Sequence, residues 1–183
     1  MTTSTIGQIF VCATPIGNLD DCSFRLINTL KTVSLIAAED TRKIRYLLRH
    51  YNIKKPLIRL EKHNEKSQLS TLKEHLLNGK DMAIVSDAGT PTIADPGSYT
   101  IEHLRTYNIP IHPIPGPCSI STLISISGIL TNNYHFAGFF PKKETEATRL
   151  IADLSHLNCP IVIFETAKRL IRTITHLIKS LPL

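Results

Sequence analysis

The chain has 183 residues, a hydrophobic fraction of 42% and a formal net charge of +6, a composition typical of a globular protein with a buried core. No stretch reaches the roughly 18 apolar residues of a membrane span, and none has the basic start and apolar core of a signal peptide. The four cysteines form no C-x-x-C pair and no zinc-ligand spacing, which indicates reduced thiols and no metal site. We therefore expect a soluble, cytoplasmic protein that does not span a membrane.

Short apolar runs alternate with amphipathic segments of helical length, which is the pattern of an α/β fold. We predict strands at 9–13, 35–38, 57–60, 82–85, 109–114, 134–140 and 161–164, and helices at 23–32, 41–51, 67–78, 98–107, 119–126, 144–157 and 168–180. Ser67 is predicted to cap the third helix and Gly79 to follow its end. The linker-like run 128–133 separates predicted domains at 1–127 and 128–183. Two strands and two helices cannot cover both faces of a sheet, so we expect the second domain to be incomplete.

Three loops rich in proline and glycine follow predicted strands, and the most informative is Ser86–Gly97, which reads SDAGTPTIADPG. The other two loops are Ala13–Asp21 and Pro113–Ser119. In the loop Ser86–Gly97, Gly89 lacks side-chain bulk and Pro91 fixes φ, so the backbone can approach a ligand closely. Because ligands of open α/β sheets collect where strand ends converge, we predict one shared crevice. The alternative for each loop is a purely structural turn.

Basic residues concentrate between Thr41 and Lys66, where nine lysines and arginines face only two glutamates. The segment begins beside the acid pair Glu39 and Asp40, which follows a predicted strand. A basic patch next to candidate catalytic acids predicts a polyanionic substrate such as RNA. A solvated helix face is the alternative explanation of the charge.

No G-x-G-x-x-G, Walker lysine, H-E-x-x-H or G-x-S-x-G motif is present, so nucleotide-triphosphate, ordinary dinucleotide and common hydrolase functions lack their signals. Four other motifs together resemble the ribosomal RNA small subunit methyltransferase I family of the tetrapyrrole methylase superfamily. They are Ala13–Leu19, Leu35–Arg42, Ser86–Pro91 with Asp95–Gly97, and Pro115–Pro117 with Ser119. The resemblance runs from about Gly7 to Leu177. Because the family continues beyond this point, the resemblance also implies a shortened second domain.

The resemblance implies S-adenosylmethionine-dependent methylation of the ribose 2′-oxygen of a cytidine in 16S rRNA of the small ribosomal subunit. It further implies two α/β domains with the cofactor in the cleft between them, and a homodimer in full-length members. The positions that match the cofactor loops are Pro15, Gly17, Asp87, Ala88, Gly89, Thr90, Pro91, Pro115, Gly116 and Ser119.

A ribose hydroxyl is a poor nucleophile at neutral pH and reacts faster with a nearby base. We predict Asp40 as that base, with Glu39 as the second candidate, and Arg42 as a phosphate or ribose clamp. Alternatively, Asp40 only caps the following helix. The predicted RNA-binding residues are Arg42, Lys43, Arg45, Arg49, His63 and Asn64, although His63 could also be an ordinary surface histidine. Two other functions are considered: an inactive fragment that retains RNA binding, and a tetrapyrrole methyltransferase.

Overall fold

The computed structural model describes residues 6–180, so the outer ends of the two predicted domains, 1–5 and 181–183, lie outside the described residues. The chain divides into two units with a boundary between Thr122 and Leu123, whereas the sequence predicted a division after residue 127. The boundary lies inside a helix, Ser119–Ile126. The two units are described separately below.

The predicted α/β fold is confirmed, and each predicted strand and helix is present with ends shifted by at most a few residues. The strands are β1 (Ile9–Cys12), β2 (Leu35–Ala38), β3 (Leu57–Arg59), β4 (Met82–Val85), β5 (Ile111–Ile114), β6 (His135–Phe139) and β7 (Ile161–Phe164). The helices are α1 (Phe24–Thr32), α2 (Thr41–His50), α3 (Glu65–Leu77), α4 (Ser98–Arg105), α5 (Ser119–Ile126), α6 (Glu144–Leu154) and α7 (Leu170–Ser180), with a 3₁₀ turn at Leu19–Asp21.

The first unit contains a parallel five-stranded sheet in the order β3-β2-β4-β1-β5. The chain leaves β1 toward β2 on one side, and it leaves β4 toward β5 on the other. The order therefore reverses between β1 and β4, whose partners run in register from Ile9 and Met82 to Cys12 and Val85. In open α/β sheets such a reversal opens a crevice at the carboxyl ends of the strands. The loops after β1 and β4 lie at this point.

Alternation along the strands sends side chains to two separate cores. On one face, Leu26 and Leu30 of α1 pack with Leu47 of α2. On the opposite face, Leu72 of α3 packs with Leu104 of α4. Helices therefore cover both faces of the sheet, which explains why the strands read as nearly continuous apolar runs. Because helices cover both faces, the loops at the carboxyl ends of the strands remain accessible in this unit.

The start of α3 differs from the prediction, because Ser67 is not its cap. The helix begins at Glu65, after the N-cap position Asn64. Asn64 Oδ1 accepts the N–H of Glu61 (2.8 Å), and the Glu65 N–H donates to the Glu61 carbonyl (3.1 Å). This turn initiates the helix before Ser67, whose hydroxyl instead donates back to the Asn64 carbonyl (2.9 Å).

The end of α3 follows the sequence prediction. Gly79 follows the C-cap with a φ of +75°, a left-handed conformation that glycine adopts without steric cost. Its N–H donates to the Leu76 carbonyl (2.9 Å), which satisfies one of the free carbonyls at the helix end.

The second unit has a two-stranded parallel sheet, β6-β7, with a small core of Phe140, Ala147 and Ile151. Arg169 lies at the centre of its polar contacts, donating to the Phe140 carbonyl (3.0 Å) and pairing with Glu165 (3.2 Å). These contacts fasten the start of α7 to the ends of β6 and β7.

Two further sequence expectations concern the cysteines and membrane-spanning helices. All four cysteines are free, and burial raises the pKa of the Cys12 thiol to about 12. No helix in residues 6–180 combines the length and apolar character needed to cross a membrane.

Candidate functional site

The loops after β1, β4 and β5 are joined to one another at the edge of the first sheet. Thr14 and Gly89 exchange two backbone hydrogen bonds of 2.9 Å, and the Thr90 hydroxyl donates to the Pro117 carbonyl (3.3 Å). The predicted convergence of the three loops is therefore present. The sequence could indicate this meeting point, but not the atoms that form it.

Two glycines allow these loops to approach one another. Gly89 has a φ of +79°, and a Cβ built on it would lie 3.3 Å from Ile16 Cγ2. A Cβ on Gly116 would lie 3.1 Å from the Cβ of Ala13. Side chains at these positions would push the β1 loop away from its two neighbours.

A pocket of about 350 Å³ opens between the β1 loop, the β4 loop and α2. Its polar lining includes Thr14, Lys43, Ser86 and Asp87, and its apolar lining includes Ile16, Leu19, Ile44, Tyr46 and Leu47. Of the predicted cofactor residues, Pro15, Gly17, Asp87 and Ala88 line this pocket directly. The predicted residues Gly89 and Thr90 instead hold the loops together, and Gly116 lies against Ala13.

Asp87 connects the β4 loop to the start of α2. Its Oδ1 accepts the Asp40 backbone N–H (3.0 Å), and its Oδ2 pairs with Lys43 Nζ at 2.5 Å. One carboxylate thus fixes the loop after β2 relative to the loop after β4. Lys43 was predicted to bind RNA, whereas here its ammonium group neutralises Asp87 inside the pocket.

Asp40 caps α2, as the structural alternative predicted. Its Oδ1 accepts the Arg42 backbone N–H (2.8 Å), and its carboxylate also accepts from Arg42 Nε (3.0 Å) and Nη2 (2.7 Å). These bonds to Arg42 lower the pKa of the Asp40 carboxyl far below its usual value. A carboxylate with a lowered pKa is a weak proton acceptor.

Glu39 has the opposite electrostatic environment. Burial, followed by the negative charges of Asp87 and Asp95, raises the pKa of the Glu39 carboxyl, against the smaller influence of Lys43 and Lys62. Burial also raises the pKa of Asp95. Pairs of acids whose environments move their pKa values apart are typical of active sites. The Glu39–Asp40 pair has this property.

Glu65 is a site residue whose role the sequence did not reveal. It is only 5% exposed, and its carboxylate accepts from the N–H groups of Gly97 (3.0 Å) and Thr100 (2.9 Å) and from the Thr100 hydroxyl (2.9 Å). Gly97, the N-cap position of α4, has no side chain with which to cap the helix. Glu65 supplies that cap from α3 and fixes the end of the Ser86–Gly97 loop.

The predicted RNA-binding residues fall into two groups. Those on α2 are exposed: Arg42, Lys43, Arg45 and Arg49. His63 is also exposed, with its Nε2 3.3 Å from Glu61. The Asn64 side chain is instead used within its own turn, because Nδ2 donates to the Arg59 carbonyl (3.1 Å) while Oδ1 accepts from Glu61. Asn64 therefore shapes the turn that precedes α3.

Tyr46 is a further residue that the sequence interpretation passed over. Its side chain is 68% exposed although it lines the pocket. The one signal available was helical spacing, because positions 42, 45, 46 and 49 share a face of α2. An exposed aromatic ring among cations is typical of surfaces that stack on nucleic-acid bases.

The pocket suits a ligand held mainly by backbone groups, apolar contacts and a carboxylate. Its volume falls in the range of small-molecule sites. Gly89, which has a positive φ, adds no side chain to the neighbouring loop. Asp87, the acid that lines the pocket, can accept hydrogen bonds from a ligand that carries hydroxyl or cationic groups. Within residues 6–180 no cluster of His, Cys, Asp and Glu could hold a metal ion.

Comparison with known proteins agrees with this arrangement. The family model described as Tetrapyrrole (Corrin/Porphyrin) Methylases matches residues 8–183. The chain is 42% identical over 96% of its length to "Ribosomal RNA small subunit methyltransferase I" of Buchnera aphidicola subsp. Schizaphis graminum, of which it spans 61%. It is 40% identical to the protein of that name from Xylella fastidiosa, spanning 64% of it, and 38% identical to that from Thermotoga maritima, spanning 78% of it. The chain therefore spans less than two thirds of the first two relatives.

Solved structures with the same fold are more distant in sequence. A diphthine synthase superposes with a TM-score of 0.72 at 13% identity, covering 94% of this chain and 71% of that one. Uroporphyrin III C-methyltransferase from Thermus thermophilus superposes with a TM-score of 0.64 at 15% identity, covering 94% and 76%. At these identities the likeness concerns the fold alone.

The parallel sheet and its joined carboxyl-end loops are those of a tetrapyrrole-methylase-type protein. The chain belongs to the tetrapyrrole methylase family and, within it, to the ribosomal RNA small subunit methyltransferase I group.

Proposed function

We propose that this protein transfers a methyl group from S-adenosylmethionine to the ribose 2′-oxygen of a cytidine in 16S rRNA. The observation that carries the proposal is the pocket at the ends of β1 and β4, which Asp87 lines and which opens beside the exposed basic face of α2. Family membership gives the reaction class, and the basic helix favours an RNA substrate over a small macrocycle. The small ribosomal subunit is the proposed partner.

Cofactor binding is assigned to the first unit's three loops. Pro15 and Gly17 would contact the cofactor from the β1 loop, and Asp87 and Ala88 from the β4 loop. When bound, S-adenosylmethionine supplies an activated methyl group on a sulfonium. Asp87 offers its remaining acceptor positions to the hydroxyl or cationic groups of the cofactor while it keeps its bonds to Asp40 and Lys43. The remaining loop residues keep these groups in place.

Glu39 is the better candidate for the general base. The raised pKa of its carboxyl makes it a stronger proton acceptor than Asp40, whose pKa is held low by Arg42. In this assignment Glu39 accepts the proton of the ribose 2′-hydroxyl. Asp40 acts through position, because its cap begins α2 and its N–H is bound to Asp87. Arg42 stays a predicted clamp, with its guanidinium exposed beside Asp40.

A calorimetric titration with S-adenosylhomocysteine tests the cofactor site without RNA. We expect saturable one-site binding by the wild-type chain. Asp87→Asn removes a charge-assisted hydrogen bond worth about 1.5–3 kcal/mol, so the affinity should fall roughly 10- to 100-fold. Glu102→Gln, an exposed acid of α4, is the matched control and should bind as the wild type does. Equal affinities in all three proteins would refute the assignment of Asp87.

Methyl transfer to small ribosomal subunits tests the reaction itself. Labelled methyl groups should appear on a cytidine ribose of 16S rRNA, and Glu39→Gln should abolish the transfer while cofactor affinity is retained. Cofactor binding without transfer would favour an RNA-binding fragment, since the chain spans 61% and 64% of two relatives. Label in an added porphyrinogen and not in RNA would replace the proposal with a tetrapyrrole methyltransferase.

A further inference from the structure

A second pocket, distinct from the one described above, lies at the opposite end of α2. It has a volume of about 280 Å³ and is lined by four cations, Arg45, Arg49, Lys54 and Lys55. We refer to these four residues as the basic pocket. The apolar side chain of Leu48 also lines it and is buried. The pocket is formed where α2 ends and the chain turns into the edge strand β3.

The four cations of the basic pocket are not neutralised by the protein. None of them takes part in an ion pair within residues 6–180. Three other basic residues of the Thr41–Lys66 segment do have acidic partners: Arg42 pairs with Asp40, Lys43 with Asp87 and Arg59 with Glu61. Like charges gathered around one concavity repel each other unless an anion occupies it.

A solvated helix face does not explain this arrangement. Arg49 in the last turn of α2 is favourable for the helix dipole, but Lys54 and Lys55 lie beyond the helix in the connection to β3. Helix and loop therefore bring their cations to the same cavity from separate backbone segments. Tyr46, which follows Arg45 in the sequence and lines the first pocket, has an exposed aromatic ring.

The basic pocket and the first pocket are built on different sides of α2, because Lys43 and Arg49 lie about 120° apart around the helix axis at 3.6 residues per turn. Lys43 lines the first pocket and Arg49 the second, and their positions on α2 are about 9 Å apart along the axis at 1.5 Å per residue. A single strand that reached both pockets would cross the exposed face of α2. Tyr46 lies between the two residues, where a base of that strand could stack on its ring.

We propose that the basic pocket binds the phosphodiester backbone of the substrate RNA, at a point away from the ribose presented to Glu39. Tyr46 stacks on an intervening base of the same strand. The inference rests on the proposed function for its substrate class, but it concerns strand binding and not methyl transfer. It assigns Lys54 and Lys55, together with Arg45 and Arg49, to one anchoring site.

Fluorescence anisotropy with a short labelled single-stranded RNA tests the proposal at several salt concentrations. The variant Lys54→Gln/Lys55→Gln should lower the slope of log affinity against log salt by about 1.4, since each single-strand phosphate contact contributes about 0.7. At 0.1 M salt this corresponds to a roughly 25-fold loss of affinity. Tyr46→Leu should weaken binding about tenfold and leave the salt slope unchanged.

Lys31→Gln/Lys80→Gln is the matched control, because both lysines are exposed and the variant loses the same charge. It should bind RNA within about twofold of wild type. If Lys54→Gln/Lys55→Gln matches this control, or if the wild type binds polyglutamate in preference to RNA, the proposal is wrong. S-adenosylhomocysteine affinity, measured in parallel, should be unchanged in every lysine variant. If the wild type does not bind S-adenosylhomocysteine, the proposed methyl transfer is refuted, and the RNA measurements alone test the basic pocket.

Discussion

Replacement of Glu65 is the sharpest test of how the cofactor loop is held. The Glu65 carboxylate is buried and accepts three hydrogen bonds at the start of α4, two of them from backbone N–H groups. Glu65→Ala leaves these donors unpaired in a space with little access to water. Each buried unpaired donor costs about 1–3 kcal/mol, so the loss of all three partners should lower the free energy of unfolding by at least about 3 kcal/mol.

Glu65→Gln separates the hydrogen bonds from the volume of the side chain. The amide keeps one oxygen acceptor but directs an NH₂ group toward a donor. We expect a loss of about 1–3 kcal/mol for this variant. Since domains of this kind are stable by about 5–15 kcal/mol, the glutamine variant should remain folded. Its Gly97 and Thr100 amides should exchange with deuterium faster than in the wild type.

Urea unfolding followed by circular dichroism measures these differences. Glu74→Ala is the control, because Glu74 is an exposed glutamate of the same helix α3 and its replacement should change stability by less than about 0.5 kcal/mol. A Glu65→Ala loss within about 1 kcal/mol of the Glu74→Ala loss would refute the capping role. Weaker S-adenosylhomocysteine binding by folded Glu65→Gln is expected if this cap also shapes the cofactor loop.

Two further substitutions test the electrostatics and the backbone of the site. Glu39→Gln should raise the urea midpoint of unfolding at neutral pH. The raised pKa of Glu39 in the folded state means that its protonated form stabilises the fold, and this stability is lost as the pH rises through that pKa. The gain from glutamine should vanish below the ordinary pKa of glutamate, and a gain independent of pH would contradict the reasoning. Gly89→Val and Gly128→Val both place a branched residue at positive φ, at a cost of about 1–2 kcal/mol each, but only the Gly89 change meets neighbouring atoms. Calorimetry should therefore show loss of S-adenosylhomocysteine binding for Gly89→Val alone, and equal binding by both variants would remove Gly89 from the site.

Local sequence signals determine most of the fold, and these signals were readable. The apolar run Met82–Val85 is buried on both faces and coincides with β4, because burial between two helix layers requires continuous hydrophobicity. The Ser23 cap of α1 accepts the Leu26 N–H (3.0 Å), and such caps act within a few residues of the chain. The loops after β1, β4 and β5 could be placed because each directly follows a predicted strand.

Contacts between distant residues could not be read in this way. Glu65 lies 35 residues before Thr100, and Asp87 lies 44 residues after Lys43, so no local pattern links the partners. The same limit affected the choice between the two acids after β2. Both are carboxyl groups that could act as a base. Only their surroundings, the Arg42 side chain at Asp40 and burial together with Asp87 at Glu39, show that the pKa of one is lowered and that of the other is raised.

Helix α2 connects the candidate catalytic acids at its start to the basic pocket at its end. Its first residues are fixed to the β4 loop through Asp87, which holds the Asp40 N–H and pairs with Lys43. Its last turn contributes Arg49 to the basic pocket. Because α2 is attached at the cofactor end, RNA bound at the basic pocket as proposed would also limit where the ribose lies at the first pocket. Weakening the bonds of Asp87 to Asp40 and Lys43 should therefore impair methyl transfer more than RNA affinity. The basic pocket would still bind the RNA, but the ribose would no longer be aligned with Glu39.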